Sequence, residues 1–424
     1  MLTVAYLANQ FPVAVEPYMS EEIQELRRRG VNVIPGSVRK PSAVMSRPPL
    51  SSFDSEILCL QPFRIPILLQ AFGLAARRRD RISGLVKRAL LHGKETPKLR
   101  LKALLHTCLG AYYAVLLQKR GVDHIHVHHG YFGSWIAMVA ARLLGINFSV
   151  TLHGSDLLLH ATYLDTKLDN CRFCLTISEY NRRYILEHFA EVDPRKIIVS
   201  RLGVDVPEKL APRLARNTNR DFTLLAVGRL HPVKDHAFLI HACGLLRDSG
   251  LNYECVIAGE GPERAHLELM VREKRLQNCI TLLGHVARVR MDALYSNADV
   301  VVLTSRSEGI PLVLMEAMAR GGIVLAPAIT GIPELVIPGK TGFLYKPGDL
   351  EDFVHRILFL RNLMIEEDHP SVGRLNWIRH AARVQIHNNF SRDKNLSHFG
   401  DLFLQLISPC NRSSPNEDLV LQQI

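Results

Sequence analysis

The 424-residue chain contains no run of eighteen apolar residues, so no helix is expected to span a membrane. Its first residues, MLTVAYLANQF, carry no basic region and no small-residue cleavage site, and their apolar run is short. They read as a first strand and not as a signal peptide. The loop that follows, NQFPVAVEPYM, lacks G-x-G-x-x-G at the place where a dinucleotide fingerprint would stand. No D-x-D occurs anywhere in the chain. The eight cysteines are scattered and form no secreted framework, which implies a reducing, cytosolic compartment. Cys171 and Cys174 make one C-x-x-C, but no second ligand pair stands near it, so two packed thiols are expected and not a zinc site. Aromatic residues are few among the basic ones and no recognition module is present, which argues against nucleic acid as a partner.

A hydrophobic share of 47% with 22% charged residues belongs to a globular chain, and 424 residues are about right for two domains. The net charge of +11 has an address. Between Arg64 and Arg120 stand thirteen basic residues against only Asp80 and Glu95, a surplus equal to that of the whole protein. Within this stretch Ile82, Leu85, Val86, Ala89 and Leu90 fall at helical spacing, as do Leu101, Leu104, Leu105, Cys108, Leu109, Tyr112, Val115 and Leu116. Such stripes either pack on a sheet with the charges solvated, or lie on an anionic membrane surface, where each Lys or Arg is worth about 1 kcal/mol.

Strand and helix patterns alternate along the rest. Leu2–Ala8, Val31–Val38 and the helix between them form a βαβ unit, so a parallel sheet starts at the N-terminus. Residues 39–60, rich in Ser and Pro, read as an extended loop. VDHIHVHH (Val122–His129) places His124, His126 and His128 on one face of a strand. No carboxylate cluster accompanies them in sequence, so no metal is assigned to them. Strand Asn147–Leu152 ends in His153, Gly154, Ser155 and Asp156, a polar cluster where ligands bind in open α/β sheets; Asp156 could simply cap the next helix. Pro207–Asn219, polar and with two prolines, reads as a linker. Beyond it an apolar strand, Phe222–Gly228, leads into GRLHPVKD, with Gly228, Arg229, Lys234 and Asp235. Arg offers a planar fork for phosphate oxygens and Lys a mobile point charge.

Ser305–Gly321, SRSEGIPLVLMEAMARG, follows the buried run DVVVL. A helix is expected from about Pro311 to Arg320, with proline in its first turn and Gly321–Gly322 as the stop. The free N–H groups of Gly309, Ile310, Leu312 and Val313 would face a strand-to-helix turn, which attracts anions. Glu308 and Glu316 flank it, and a carboxylate accepts the two hydrogen bonds that a vicinal diol offers.

This stretch resembles the signature E-G-x-P-x-x-x-x-E-A-x-A-x-G of the retaining glycosyltransferases of family four, through Glu308, Gly309, Pro311, Glu316, Ala317, Ala319 and Gly321. GRLHPVKD is similar to that family's G-R-L-x-x-x-K-G/D, RLGVD (Arg201–Asp205) to its N-G-V-D, and GEGP (Gly259–Pro262) also matches. F-P-x-x-x-E-x-x-x-x-x-E-I (Phe11–Ile23) resembles the family's opening, although Pro17 and Tyr18 differ from its commoner residues, so that loop is given no specific role. V-D-H-I-H-x-H resembles a strand of exopolysaccharide enzymes related to those of colanic acid synthesis.

The resemblance implies an α/β protein of GT-B architecture, with two doubly wound Rossmann-like domains facing across a cleft. Its expected parts are an acceptor-side domain over 1–205, a nucleotide-sugar domain over 206–388, a helix over 389–407 crossing back to the first domain, and a disordered tail over 408–424. It implies transfer of a sugar from a nucleoside-diphosphate donor to an acceptor hydroxyl with retention. Arg229, Lys234, Glu308 and His153 would be catalytic. Gly228, Gly309, Ile310, Pro311, Leu312 and Glu316 would hold the donor, with Glu316 on the ribose. Without D-x-D, the charge that a divalent ion would neutralise falls to Arg229, Lys234 and the helix N-terminus, so no metal and no cofactor are expected. A glycan or lipid-linked sugar is the expected acceptor, and the basic segment suggests a peripheral place at the inner membrane face. The alternatives are a phosphorylase, a nucleotide-sugar epimerase, or an inactive relative that binds nucleotide or membrane.

Overall fold

In the computed structural model the described residues are 1–13, 16–40, 57–93, 95–210, 222–366 and 373–408. Much of the Ser/Pro-rich loop, Lys94, the linker from 211 onward and the tail beyond Ser408 lie outside them. Two parallel sheets organise the chain. The first contains β1 (Thr3–Gln10), β2 (Asn32–Arg39), β3 (Leu58–Cys59), β4 (His124–His128), β5 (Asn147–Leu152), β6 (Cys174–Thr176) and β7 (Ile197–Val199), in the order 3-2-1-4-5-6-7. The second contains β8 (Phe222–Val227), β9 (Tyr253–Ala258), β10 (Ile280–Gly284), β11 (Val300–Val302), β12 (Ile323–Pro327) and β13 (Phe343–Tyr345), in the order 10-9-8-11-12-13. Every strand pair in both sheets is parallel.

The strands read as near-continuous apolar runs because helices cover both faces of a parallel sheet. Ala5, Leu7, Ile125 and Val127 serve one core of the first sheet, while Val4 and Tyr6 serve the other. The strand order reverses between β1 and β4 in the first sheet, and between β8 and β11 in the second. Connections diverge at such points and leave a crevice at the carboxyl ends of the strands. The fold class expected from the sequence, two doubly wound α/β units, is the one observed.

The last helix, Arg392–Ile407, packs on Pro17–Arg28 of the first unit. Arg29 Nη2 donates to Ser397 O at 2.8 Å and the guanidinium also pairs with Asp401. Phe399 and Phe403 are buried among Val4, Tyr6 and Met19. Burying each such ring is worth about 1.5–3 kcal/mol, enough to hold the helix down. Beside it, Val204 and Ser391 form a bridge and Asp205 pairs with Arg392 at 2.6 Å.

The basic segment corrects one expectation and divides another. In helix Pro97–Leu117 the buried residues include Ala103, Thr107, Gly110, Ala111 and Ala114; of the expected stripe Tyr112 is buried and Leu104, Leu109, Val115 and Leu116 pack against the core, while Leu101, Leu105 and Cys108 are exposed. The reason is close packing on helix Phe132–Leu144, since a Cβ at Gly110 would stand 2.5 Å from Val139 Cβ. Helix Arg79–Leu91 does bury Ile82, Leu85 and Ala89, but Leu90 is exposed. Among the described residues no helix is long and apolar enough to cross a membrane.

Candidate active site

The loops after β1, β5 and β6 of the first sheet meet those after β11 and β12 of the second. Contact at the centre is backbone on backbone. A Cβ on Gly309 would lie 2.0 Å from His153 O, and one on Gly154 would lie 2.8 Å from Gly309 N. A Cβ on Gly331 would meet Gly309 O at 2.3 Å. These three glycines are what the close approach of the two loops requires. Glu334 ties the units again, accepting from the backbone N–H groups of Glu179 at 3.0 Å and Tyr180 at 2.6 Å at the start of helix Glu179–His188.

On the second side, β8 delivers Gly228 and Arg229, and a short 3-10 turn, Pro232–Lys234, delivers Lys234. Lys234 Nζ donates to Glu308 Oε1 at 2.5 Å, with both side chains largely shielded. Thr330 Oγ1 donates to Glu308 O at 2.6 Å, and Arg306 holds Asp235 at 2.6 Å. Arg229 is exposed, and its charge acts on Glu16 and Tyr18 of the first unit, so it faces the gap. Helix Leu312–Ala319 starts one residue later than expected. Pro311 is extended and stands just before it, as the N-cap residue, which leaves Leu312 and Val313 as the first helical N–H groups. Ile310 is buried in the second unit's core, and Gly309 N abuts Gly154. Glu316 accepts from Tyr295 O–H at 2.8 Å, and Arg320 lies over that ring at 5.6 Å. Glu316 and Leu312 line a crevice opposite Pro17, Tyr18, Glu21 and Arg392.

On the first side, Asp156 does not cap the following helix by its side chain. Fully buried, it accepts from the N–H groups of Gly130 at 2.8 Å, Gly154 at 2.8 Å and His153 at 3.1 Å. Burial opposes its charge, but His129 and these donors prevail and hold its carboxyl well below the usual range. His129 stands 3.7 Å from Asp156 and 3.4 Å from Glu16. Burial lowers its pKa, and the two carboxylates overcome this and raise it to about 10. It keeps φ at +71°, a left-handed backbone that a non-glycine side chain rarely adopts, within this set of ion pairs. Tyr18 stacks on His153 with ring centroids 4.6 Å apart and 29° between planes. Burial, and then the charges of His129 and His128, push the His153 pKa well below its ordinary value.

This cluster sets a pH dependence of stability. Asp156, with its pKa lowered, contributes above about pH 4 and loses that contribution as the pH falls toward its folded value. His129, with its pKa raised, contributes fully below about pH 6.5 and loses it as the pH rises toward 10. Urea midpoints of wild type and His129→Gln should therefore converge between pH 6.5 and 10. A constant gap across that range would contradict the ion-pair account.

The three alternating histidines are buried on one face of β4, as the sequence predicts. Glu22, His126 and His128 bring their ligand atoms within 4.8 Å of one another. However, each ring nitrogen already has a protein partner. His126 reaches Ser149 Oγ at 2.7 Å and Thr151 Oγ1 at 3.0 Å, and His128 reaches His153 Nε2 at 2.9 Å and Glu22 Oε2 at 2.9 Å. A metal ion would have to displace one of these partners at each histidine, and no further ligand stands beside the three among the described residues, so no metal is assigned to them. Cys171 and Cys174 are buried free thiols.

Sequence reasoning named His153, Arg229, Lys234, Glu308 and Glu316: Glu316 lines the crevice, Lys234 and Glu308 pair with each other, Arg229 is exposed, and the His153 carbonyl lies against Gly309. It missed Glu16, Tyr18, Glu22, His128 and His129. The signal existed, because Glu16 and Glu22 are the two glutamates of the Phe11–Ile23 pattern.

Comparison with known proteins gives these parts a family. Residues 61–208 match the family model described as Glycosyltransferase Family 4, and residues 211–369 match that of Glycosyl transferases group 1. The chain is 31% identical over 203 residues to the putative colanic acid biosynthesis glycosyltransferase WcaL of Escherichia coli, covering 46% of this chain and 48% of WcaL. It thus spans about half the length of that relative. It is 27% identical over 314 residues to the amylovoran biosynthesis glycosyltransferase AmsK of Erwinia amylovora, covering 71% and 72%. Among solved structures it shares the fold of sucrose-phosphate synthase from Thermosynechococcus elongatus, with a TM-score of 0.70, 17% identity and 96% and 99% of the two chains covered. It also shares the fold of Anabaena Alr3699/HepE in complex with UDP, with a TM-score of 0.67, 16% identity and 95% and 100% covered.

Proposed function

Since the chain belongs to the group 1 glycosyltransferases of family four, with the GT-B pair of domains, we propose that it moves a sugar from a nucleoside-diphosphate donor to an acceptor hydroxyl in exopolysaccharide or other cell-surface glycan synthesis. The observation that carries this reading is the Lys234–Glu308 pair, 2.5 Å apart, beside exposed Arg229 and against the His153 loop. Arg229 and Lys234 take the diphosphate and stabilise it as it leaves, helped by the N–H groups of Leu312 and Val313. Glu316 accepts from the ribose hydroxyls with the oxygen that Tyr295 leaves open. Glu308 and His153 face the donor sugar. The UDP bound by the Anabaena neighbour of like fold supports a nucleotide in this crevice.

Two cationic side chains and a helix N-terminus supply the positive field at the leaving group, and transfer proceeds without a divalent ion. Retention is carried over from the family resemblance; with no carboxylate assigned as a nucleophile, the proposed route is front-face attack and not a covalent glycosyl intermediate. The leaving phosphate takes the acceptor proton, and the protein contributes positioning and electrostatics. Incubation with UDP-, GDP- and ADP-sugars in excess EDTA, with the product read by proton NMR, tests this. The expected product retains the donor's anomeric configuration; an inverted product, or turnover that needs added metal, would overturn the mechanism.

The acceptor proposed is a lipid-linked saccharide, with the enzyme peripheral at an anionic inner membrane face. Ile65, Leu69 and Phe72 of helix Ile65–Arg77 are 73%, 70% and 77% exposed, and Leu101 and Leu105 are exposed as well. Arg64, Arg77, Arg79, Arg81 and Lys98 accompany them in the same segment. Apolar side chains flanked by cations suit an interfacial helix. The protein should sediment with phosphatidylglycerol liposomes at low salt and release as salt rises. Retention in the supernatant at low salt would remove the membrane from the account.

A further inference from the structure

The buried hydrogen-bond chain behind His153 fixes more than its position. Glu22 Oε2 lies 2.9 Å from His128 Nε2 and also accepts from the Tyr6 hydroxyl. On its other edge, His128 Nδ1 lies 2.9 Å from His153 Nε2. Glu22, Tyr6 and His128 are all nearly or fully buried, and none touches the crevice directly except at the rim beside Glu22. The polarity of the chain follows from its first member. A carboxylate only accepts, so the His128 Nε2 carries the hydrogen. With its one hydrogen there, His128 offers a lone pair at Nδ1, which requires the hydrogen of His153 to sit on Nε2. That leaves a lone pair on His153 Nδ1, which has no protein partner among the described residues.

The charges around the pair favour this neutral arrangement. His129, held as a cation by Glu16 and Asp156, stands 4.6 Å from the His153 ring, so a second cation on His153 is opposed. Tyr18 stacked on the His153 face keeps the ring from turning. We infer that Glu22 and His128 are positioning residues that present His153 Nδ1 to the donor sugar as a hydrogen-bond acceptor only, so that this edge of the site selects a sugar with a hydroxyl there and rejects one whose hydroxyl is replaced by hydrogen or fluorine. This rests on the donor-site reading of His153 given above. The selectivity arises because a site built around a lone pair gains nothing from a group that cannot donate.

Two measurements test it separately from that reading. Long-range proton–nitrogen NMR of protein labelled at histidine should show Nε2–H tautomers for both His128 and His153 at neutral pH. A His153 Nδ1–H tautomer, or a His128 imidazolium, would overturn the inference whatever the enzyme does. The second measurement uses His128→Leu, His128→Asn and Glu22→Gln with UDP-glucose, GDP-mannose and ADP-glucose as probes. His128→Leu removes the acceptor for His153 Nε2–H and should weaken the sugar nucleotide that the wild type binds by about tenfold to a hundredfold, the usual cost of losing the partner that orients a site histidine. Affinity for the bare nucleotide should stay within about threefold, since His153 faces the sugar. Asparagine at this position places an amide oxygen near that of Nδ1 and should restore most of the loss. Equal loss in the leucine and asparagine variants, or parallel loss of bare-nucleotide affinity, would mean that the chain is only structural. If the wild type binds none of the probes, the proposed donor site fails, and the tautomer spectrum alone then decides this inference.

Discussion

Lys234→Ala should lower kcat by about 10²–10³, the cost of removing one preorganised group from a developing charge. The pair with Glu308 makes the variant informative in two ways. Lys234 Nζ sits 2.5 Å from Glu308 Oε1 with only 21% and 11% of the side chains exposed, so alanine both removes a phosphate ligand and strands a carboxylate. A stranded carboxylate could depress the rate by repelling the diphosphate. Adding Glu308→Gln to Lys234→Ala separates the two effects. If the lysine acts on the leaving group, the double variant stays as slow as the single one or becomes slower. Recovery to near wild-type rate would assign the lysine to neutralising Glu308 alone. Arg229→Ala is the companion, because Arg229 is exposed and no hydrogen bond of its guanidinium is seen among the described residues. Its loss should cost a similar factor in rate with no change in thermal midpoint, whereas a loss below about threefold in both variants would remove the leaving-group role from this pair of cations.

How much of this was legible in the sequence depends on what each signal encodes. The two parallel sheets were legible because strands buried on both faces must be apolar throughout, as in TVAYLA, TLLAV and VVV. The site residues on the second side were legible because their spacing along one loop or one turn is local: Arg229 to Lys234 on a single connection, and Glu308 to Glu316 across a single strand-to-helix turn. On the first side only His153 and its polar neighbours were legible, because the full cluster is assembled from three distant loops. Glu16 and Glu22 come from the first loop and its helix, His128 and His129 from the end of β4, and His153 and Asp156 from the end of β5. Only the 3-2-1-4-5 strand order brings them together. Asp156 illustrates the difficulty. An aspartate four residues past a strand reads as a helix cap, and nothing local announces that it holds three N–H groups from two loops.

The basic segment was legible in part, since Ile82, Leu85, Ala89 and Tyr112 of its stripes are buried and Leu101, Leu105 and Cys108 are not. Hydrophobic periodicity marks Leu101, Leu105 and Cys108 as inward, but a helix that crosses another closely buries its small residues. Gly110 stands where Val139 and the Ile136 carbonyl of the neighbouring helix leave no room for a side chain, and Ala103 and Ala114 are buried on the same helix beside Tyr112, Tyr113 and Leu117. Exposed together with Ile65, Leu69 and Phe72, Leu101 and Leu105 enter the membrane proposal and not the core.

The reading as a whole stands on a nucleotide held by Glu316 in the crevice between the two sheets. Calorimetric titration of wild type and Glu316→Ala with UDP, GDP and ADP, in the presence of EDTA, tests it most directly. A charged acceptor contributes about 1.5–3 kcal/mol per hydrogen bond, so loss of the ribose contact should weaken binding by about a hundredfold. Glu316→Gln keeps an acceptor for Tyr295 O–H and separates loss of the ribose contact from local collapse. The account predicts that one of the three nucleotides binds wild type without metal, and that the alanine variant loses most of that affinity while its thermal midpoint holds. Absence of binding by all three, or equal binding by wild type and Glu316→Ala, would contradict it.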